Sequence, residues 1–154
     1  MLSPVVIVDY NREHGPELVR MWRRSFEQAV GVFDYHTFEE QLRFLEDKLV
    51  HENHVRVVVE ESSSKIIGFM ASTPVSISQL YVHVDHQNQG IGSALLEIAK
   101  RESAGRLRLF TFKTNQHAQR FYERHGFRIV GYGFEEQWQL EDIEYEWSAD
   151  LSRI

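Results

Sequence analysis

The 154-residue sequence contains no cysteine. Without thiols the chain has no disulfide framework, no thiolate nucleophile and no cysteine ligand for zinc. Prolines are few, at three, and no linker, internal repeat or low-complexity tract interrupts the pattern. A chain of this length without a linker predicts a single domain over residues 1–154.

Long hydrophobic runs are also missing. No apolar segment approaches the roughly 18 residues that cross a bilayer. The amino-terminal stretch MLSPVVIVDYNREHG lacks the basic segment followed by an apolar one that a signal peptide requires. We therefore expect an intracellular, cytoplasmic protein without a membrane partner.

Basic residues are outnumbered, because 17 Lys and Arg stand against 23 Asp and Glu, which gives a net charge of -6 at pH 7. Nucleic-acid phosphates usually meet a basic protein face, so no nucleic-acid partner is expected. An acidic chain is more suited to cations or neutral molecules.

The sequence alternates between strand and helix periodicities. The predicted strands cover residues 5–10, 54–61, 65–73, 77–84, 106–112, 127–134 and 143–151. The predicted helices cover residues 13–29, 37–49, 91–103 and 116–125. Thr37 and Glu40 have the spacing of a capping box at the start of the second helix. This order predicts an α/β fold with one mixed, mostly antiparallel sheet of about seven strands and about four flanking helices.

The segment DHQNQGIGSALLEIAK, residues 85–100, joins the fourth strand to the third helix. A helix N-terminus presents unpaired N–H groups and a positive dipole end, so a glycine-rich loop there is suited to phosphate. The N–H donors would come from Gln89, Gly90, Ile91, Gly92 and Ser93. A P-loop is excluded because no lysine precedes Ser93, and a dinucleotide fingerprint is interrupted at Leu95. The alternative is a simple tight turn.

Two separate motifs resemble one known family. The spacing Gln87-x-x-Gly90-x-Gly92 is similar to the acetyl-coenzyme A pyrophosphate loop of the GNAT superfamily of N-acetyltransferases. TNQHAQRFYERHGF, residues 114–127, resembles the family's downstream motif, an Asn before a helix bearing Phe-Tyr, followed by Gly-Phe. The resemblance implies the acyl-CoA N-acyltransferase fold and transfer of an acetyl group from acetyl-CoA to a primary amine of a small molecule or a peptide.

The resemblance also implies roles for particular residues. The pyrophosphate would bind the loop from Gln87 through Asn88 to Ser93. The fourth strand would carry a bulge and diverge from the fifth, so that the pantetheine arm pairs with the backbone of Leu80, Tyr81 and Val82. An N–H near Val82 would polarise the thioester carbonyl.

Two further roles lie in the downstream motif. Asn115 matches the asparagine that contacts the coenzyme arm, and Tyr122 matches the general acid that protonates the departing thiolate. By pattern alone, Tyr122 and Phe121 also fit a helix core; Phe121, Phe127 and Trp22 are interpreted as core.

The general base is left open. The positions that often carry an acid in this family are here occupied by Ser76–Gln79 and by Phe110. Tyr81 with His83 could carry a water chain, Glu60 lies on a neighbouring strand, and solvent could accept the proton. A non-catalytic acetyl-CoA-binding sensor or partner module, or transfer of another acyl group, is the alternative function.

The remaining candidates are weaker. His83 and His86 are expected on opposite faces of a strand end, and His51 and His54 lack a third ligand, so no metal is expected. Residues 134–147 resemble the ending of some small-molecule acetyltransferases; Glu135 and Glu136 would border the acceptor pocket or merely solubilise a loop. In the family the first two helices roof that pocket, where Trp22, Phe33, Tyr35 and His36 suggest an aromatic lining. The last strand makes a homodimer possible.

Overall fold

The computed structural model describes residues 4–150, so the predicted end of the last strand at Leu151 lies outside the described residues. The strands are β1 (Val5–Asp9), β2 (His54–Glu60), β3 (Ile66–Thr73), β4 (Ser76–Val82), β5 (Arg106–Phe112), β6 (Arg128–Glu135) and β7 (Leu140–Ser148). The helices are α1 (Gly15–Val30), α2, α3 (Ile91–Glu102) and α4 (Gln116–Arg124). Helix α2 begins as Phe38–Phe44, continues as π-helical Leu45–Leu49 and ends with the turn Val50–Glu52.

The strands form one seven-stranded sheet in the order β1-β2-β3-β4-β5-β7-β6. Every neighbouring pair is antiparallel except β4 and β5, which are parallel. The prediction of a mixed, mostly antiparallel sheet with helices on both faces is therefore confirmed.

The sheet opens at its centre, between β4 and β5. The only pair recorded between these two strands is Ser76 with Arg108. On its other side β4 carries a bulge, because Ala71 pairs with Gln79 and Ser72 with Ile77, which leaves Ser78 as the extra residue. A bulge bends a strand and increases its twist, so β4 diverges from β5 after Ser76.

The helices cover the two faces with separate cores. On one face Leu95 of α3 and Tyr122 of α4 pack with Leu107 and Tyr145 of the sheet. The other core joins helices α1 and α2 to β2 and β3; its members include Leu18, Leu45, Val57 and Phe69. Burying each such side chain contributes about 1.5–3 kcal/mol, so these two cores hold the helices that border the central opening.

The capping box predicted at α2 is present. Thr37 Oγ1 accepts the Glu40 N–H at 3.0 Å, and Glu40 Oε1 accepts the Thr37 N–H at 3.0 Å. The helix starts where the sequence pattern placed it.

The prediction for His83 and His86 is wrong. The fourth strand ends at Val82, and Val84–His86 forms a 3-10 turn. The two imidazole rings lie 5.4 Å apart instead of on opposite faces, because strand alternation stops before them. Across residues 4–150, no three His, Asp or Glu side chains are grouped so that they could hold a metal ion.

Within the same described range, none of the helices has both the length and the apolar character required to cross a membrane.

Candidate active site

Two cavities meet at the opening between β4 and β5. The loop cavity, of about 120 Å³, lies against residues 86–93 and α4. The sheet cavity, of about 510 Å³, lies between the diverging strands, the roof made by α1 and α2, and the β6–β7 turn. The residues that line both cavities are Leu80, Tyr81, Asn115, Ala118 and Tyr122. These shared residues mark the junction of the two cavities.

The two glycines of the loop serve different purposes. Gly90 precedes α3 with φ of 85°, a left-handed conformation that favours glycine, and a Cβ there would contact nothing. Gly92 is needed for packing, because a Cβ on it would lie 3.2 Å from Cζ of Phe121. Phe121, interpreted from sequence as core, is partly buried against the core and also lines the loop cavity.

Most of the predicted loop residues lie at the loop cavity: Gln87, Asn88, Gly90, Ile91, Gly92 and Ser93 line it, whereas Gln89 does not. Gln87 Nε2 donates to the Val82 carbonyl at 3.2 Å and ties the loop to the end of β4. Ser93 Oγ lies 3.1 Å from Nε2 of His125. Within residues 4–150, no side chain caps the N-terminus of α3, and its first residues, Ile91, Gly92 and Ser93, line the loop cavity.

The predicted strand segment borders both cavities along one open edge. Leu80, Tyr81 and Val82 pair with β3, while the pairing of β4 with β5 is confined to Ser76. The opposite edge of this segment is therefore available for another extended chain.

Asn115 lies at the junction and also starts a helix. Its Oδ1 accepts the Ala118 N–H at 3.1 Å and caps α4, and the residue is 8% exposed. The sequence interpretation missed this cap, which holds α4 and therefore Tyr122 in place.

Tyr122 is both a core residue and a cavity residue. It is 6% exposed, and its ring packs against Phe127 with centroids 5.3 Å apart. Burial, assisted by the neighbouring Tyr81, raises the pKa of the Tyr122 phenol. The hydroxyl therefore keeps its proton at neutral pH and is available as a donor.

The cavities carry opposite charges. Among residues 4–150, Arg124, His86 and His117 line the loop cavity and no carboxylate does. From the same part of the chain, the sheet cavity is lined by four carboxylates and by no lysine or arginine; the four are Asp34, Glu40, Glu135 and Asp142. Burial, followed by the charges of Glu135 and Glu144, raises the pKa of Asp142. An anion is favoured in one cavity and a cation in the other.

The base candidates named from sequence lie apart from this arrangement. Glu60 accepts from Ser63 Oγ at 2.6 Å and lies 3.2 Å from His86 Nε2, and it lines neither cavity. His83 also lines neither cavity. Tyr81 does line both, but burial raises the pKa of its phenol.

Several residues of the site were not identified from sequence. These are Asp34, Glu40 and Asp142 in the sheet cavity and His86, His117 and Arg124 in the loop cavity. Of the predicted acceptor residues, Trp22, His36 and Glu135 line the sheet cavity, whereas Phe33, Tyr35 and Glu136 do not. No local sequence pattern identifies the carboxylates of the sheet cavity as a group, because they come from four separate parts of the chain: the α1–α2 loop, α2, β6 and β7.

Comparison with known proteins agrees with this geometry. The acetyltransferase (GNAT) domain family matches residues 51–129. The peptidyl-lysine N-acetyltransferase YjaB of Salmonella typhimurium strain LT2 is 30% identical over 119 residues, which cover 77% of this chain and 80% of that protein.

Solved structures show the same fold. The apo form of YjaB from Escherichia coli has a TM-score of 0.76 at 22% identity, covering 94% of this chain and 97% of that one. The PaiA N-acetyltransferase of Thermoplasma acidophilum, solved in complex with coenzyme A, has a TM-score of 0.73 at 19% identity, covering 94% and 99%. The chain therefore belongs to the GNAT family of acetyl-CoA-dependent N-acetyltransferases.

Proposed function

We propose that the enzyme transfers the acetyl group of acetyl-CoA directly to a primary amine of a small molecule, or of a peptide or protein, with Tyr122 as general acid. The observation that carries this proposal is the junction of two oppositely charged cavities at Tyr122. A coenzyme with anionic phosphates suits one cavity, and a cationic amine suits the other.

The coenzyme side of the proposal uses the loop and the open edge of β4. Loop residues Gln87 through Ser93 and the N-terminus of α3 would hold the pyrophosphate, with Arg124 adding positive charge. The pantetheine arm would pair with Leu80–Val82 and contact Asn115. The N–H near Val82 would then stabilise the negative charge that develops on the thioester carbonyl oxygen when the amine attacks.

The acceptor side uses the sheet cavity. Its four carboxylates favour an ammonium ion, and the aromatic rings of Trp22, Phe26 and Trp138 would pack against the alkyl part of an acceptor. The similarity to a peptidyl-lysine N-acetyltransferase supports a lysine-type alkyl amine as the reacting group.

The test of the acid role is Tyr122→Phe. We expect turnover to fall by about 100-fold while the Kd for acetyl-CoA stays unchanged, because only the transferable proton is lost. Turnover is measured as thiol release with n-butylamine, 1,4-diaminobutane and Nα-acetyl-lysine amide, and binding by calorimetry.

Tyr132→Phe is the matched control, since Tyr132 is 75% exposed and lines neither cavity. Equal turnover of Y122F and wild type would refute the acid role. Coenzyme-induced thermal stabilisation without turnover of any amine would instead favour the non-catalytic binding module.

A further inference from the structure

The proposed reaction leaves one proton unassigned. An alkylammonium has a pKa of about 10.4 and must lose a proton before its nitrogen can attack a thioester. Of the bases considered from sequence, Glu60 and His83 lie outside the sheet cavity, and the phenol of Tyr81 has a raised pKa. In the part of the chain that the structure describes, His36 is the one histidine that lines this cavity.

A buried carboxylate orients His36. Asp34 is 3% exposed, and its Oδ1 accepts the backbone N–H of His36 at 3.0 Å and lies 3.1 Å from Nδ1 of the ring. A carboxylate can only accept, so Nδ1 carries the proton and Nε2 presents its lone pair. Nε2 lies 2.9 Å from Nε2 of Gln137, an amide donor, which agrees with this tautomer.

Neighbouring rings fix the plane of the imidazole. Tyr35 stacks on His36 with centroids 4.3 Å apart, and Trp138 lies edge-on at 5.5 Å. Asp34 is itself held, because Arg23 Nη1 lies 3.8 Å from its Oδ2 and its N–H donates to Glu27 at 2.7 Å. The side chain of His36 is 29% exposed, so the ring is held in place yet reachable from the cavity.

The charged groups around His36 come from its own loop, from α1 and α2, and from the β6–β7 turn. From its own loop it faces Asp34, and α2 contributes Glu40. Helix α1 contributes Arg23 and Glu27, which both contact Asp34. The β6–β7 turn places Gln137 in contact with His36, and Glu135 lines the same cavity. Carboxylates outnumber the one arginine, so the charges that surround this part of the sheet cavity are mainly negative.

We propose that His36, oriented by Asp34, is the general base that removes the proton from the acceptor ammonium as it enters the sheet cavity. This inference rests on the proposed function. The pair combines an imidazole, the side chain that most often serves as a general base, with a carboxylate that fixes its tautomer and balances the charge it gains.

The protons balance as follows. His36 Nε2 takes one proton from the ammonium, directly or through a water molecule, and the neutral amine then attacks the thioester carbon to give an oxyanion and a cationic nitrogen. The carbon–sulfur bond breaks, the thiolate takes the Tyr122 proton, and the cationic nitrogen returns a proton to the Tyr122 phenolate. His36 releases its proton to solvent, so the net products are the amide, coenzyme A and one proton.

The test compares His36→Gln with wild type on the best of n-butylamine, 1,4-diaminobutane and Nα-acetyl-lysine amide, across a pH range. We expect kcat/KM at neutral pH to fall by about 100-fold and the ascending limb of the pH profile to move to higher pH, toward the pKa of the free amine. The second substrate is the same amine with two fluorines on the carbon next to its aminomethyl group, which lower the ammonium pKa. At the same pH a far larger fraction of that amine is neutral than of the plain amine, so the defect of H36Q should shrink to a few-fold.

The controls separate this role from a structural one. His51→Gln changes an exposed histidine that lines neither cavity and should leave the profile unchanged. Asp34→Asn should shift the profile in the same direction as H36Q, while acetyl-CoA binding measured by calorimetry stays intact in both. Asp142→Asn tests a different carboxylate of the sheet cavity, one whose pKa is raised by burial.

Three outcomes overturn the inference alone. The first is an active H36Q with the wild-type pH profile, and the second is an equal defect on the fluorinated and plain amines. The third is a shift of the ascending limb in D142N but not in H36Q, which would transfer the role to Asp142. A wild-type protein that releases thiol with none of the amines would refute the proposed function itself.

Discussion

At the residue scale, the loop glycines differ in what they can tolerate. Gly90 is constrained by its left-handed backbone, and a side chain there would meet no neighbouring atom. A Cβ on Gly92 would instead lie only 3.2 Å from the ring of Phe121. The sequence motif treats the two positions alike. The structure shows that a backbone requirement fixes one and a packing contact between the loop and α4 fixes the other.

Gly90→Ala is expected to lower the free energy of unfolding by about 1–2 kcal/mol, because an L-residue is strained in the left-handed region. Urea unfolding measures the change. Gly90→Asn is the matched variant, since asparagine tolerates this conformation better than alanine and should recover part of the loss. Equal stability of G90A and wild type would contradict the backbone argument.

At the element scale, α2 forms part of the roof of the sheet cavity. Glu40, Gln41 and Phe44 of this helix line the cavity, and the start of the helix depends on the Thr37 cap. Its first segment is only seven residues long, too short to be stable without caps and packing. The position of these cavity residues therefore depends on the Thr37 hydroxyl as well as on the packing of the helix.

Thr37→Ala is expected to lower the free energy of unfolding by about 1 kcal/mol, through loss of the cap. Because the roof residues are then less well positioned, KM for the amine should rise while the Kd for acetyl-CoA is unchanged. Thr37→Ser keeps the hydroxyl and should behave as wild type in unfolding and steady-state assays. A change in coenzyme affinity without a change in amine KM would argue against this role of α2.

At the scale of the whole molecule, charge is divided between the two ends of one cleft. The net charge of -6 hides a cationic loop cavity and an anionic sheet cavity. Burial is the main cause that lowers the pKa of three histidines, and for each of them nearby arginine or lysine side chains lower it further; the three are His83, His117 and His125. These groups link the stability of the fold to pH.

The sign of that linkage follows from the lowered values. Unfolded histidine has a pKa of about 6.5, so between this pH and the lower native values the unfolded chain binds more protons. Stability is therefore full above about pH 6.5 and should decrease as the pH falls below it. Urea unfolding at about pH 7.5 and about pH 5.5 measures the loss, and the double variant H117Q/H125Q should show a smaller one. Constant stability over this interval would exclude the linkage.

Coenzyme A should reverse part of this trend, because its phosphates beside His117 would favour the imidazolium.

The sequence by itself determined the order of the elements and the capping box. It also identified most of the residues by which the loop between β4 and α3 lines the loop cavity. Sequence patterns are sufficient for these features because periodicity, caps and glycine spacing act over a few neighbouring residues. The two motifs were sufficient to indicate the family. Local rules failed at His83 and His86, where the strand ends at a turn that brings the rings together.

Only the tertiary structure decided the two cavities, the position of Tyr122 at their junction and the pairing of Asp34 with His36 beneath Trp138. Apart from the Asp34–His36 pair itself, these features join residues that are distant in the sequence; His36 and Gln137, for example, are 101 positions apart. Their proximity follows from how the diverging strands, the roof helices and the β6–β7 turn pack, which no short stretch of sequence specifies. The charge of each cavity is a property of that packing.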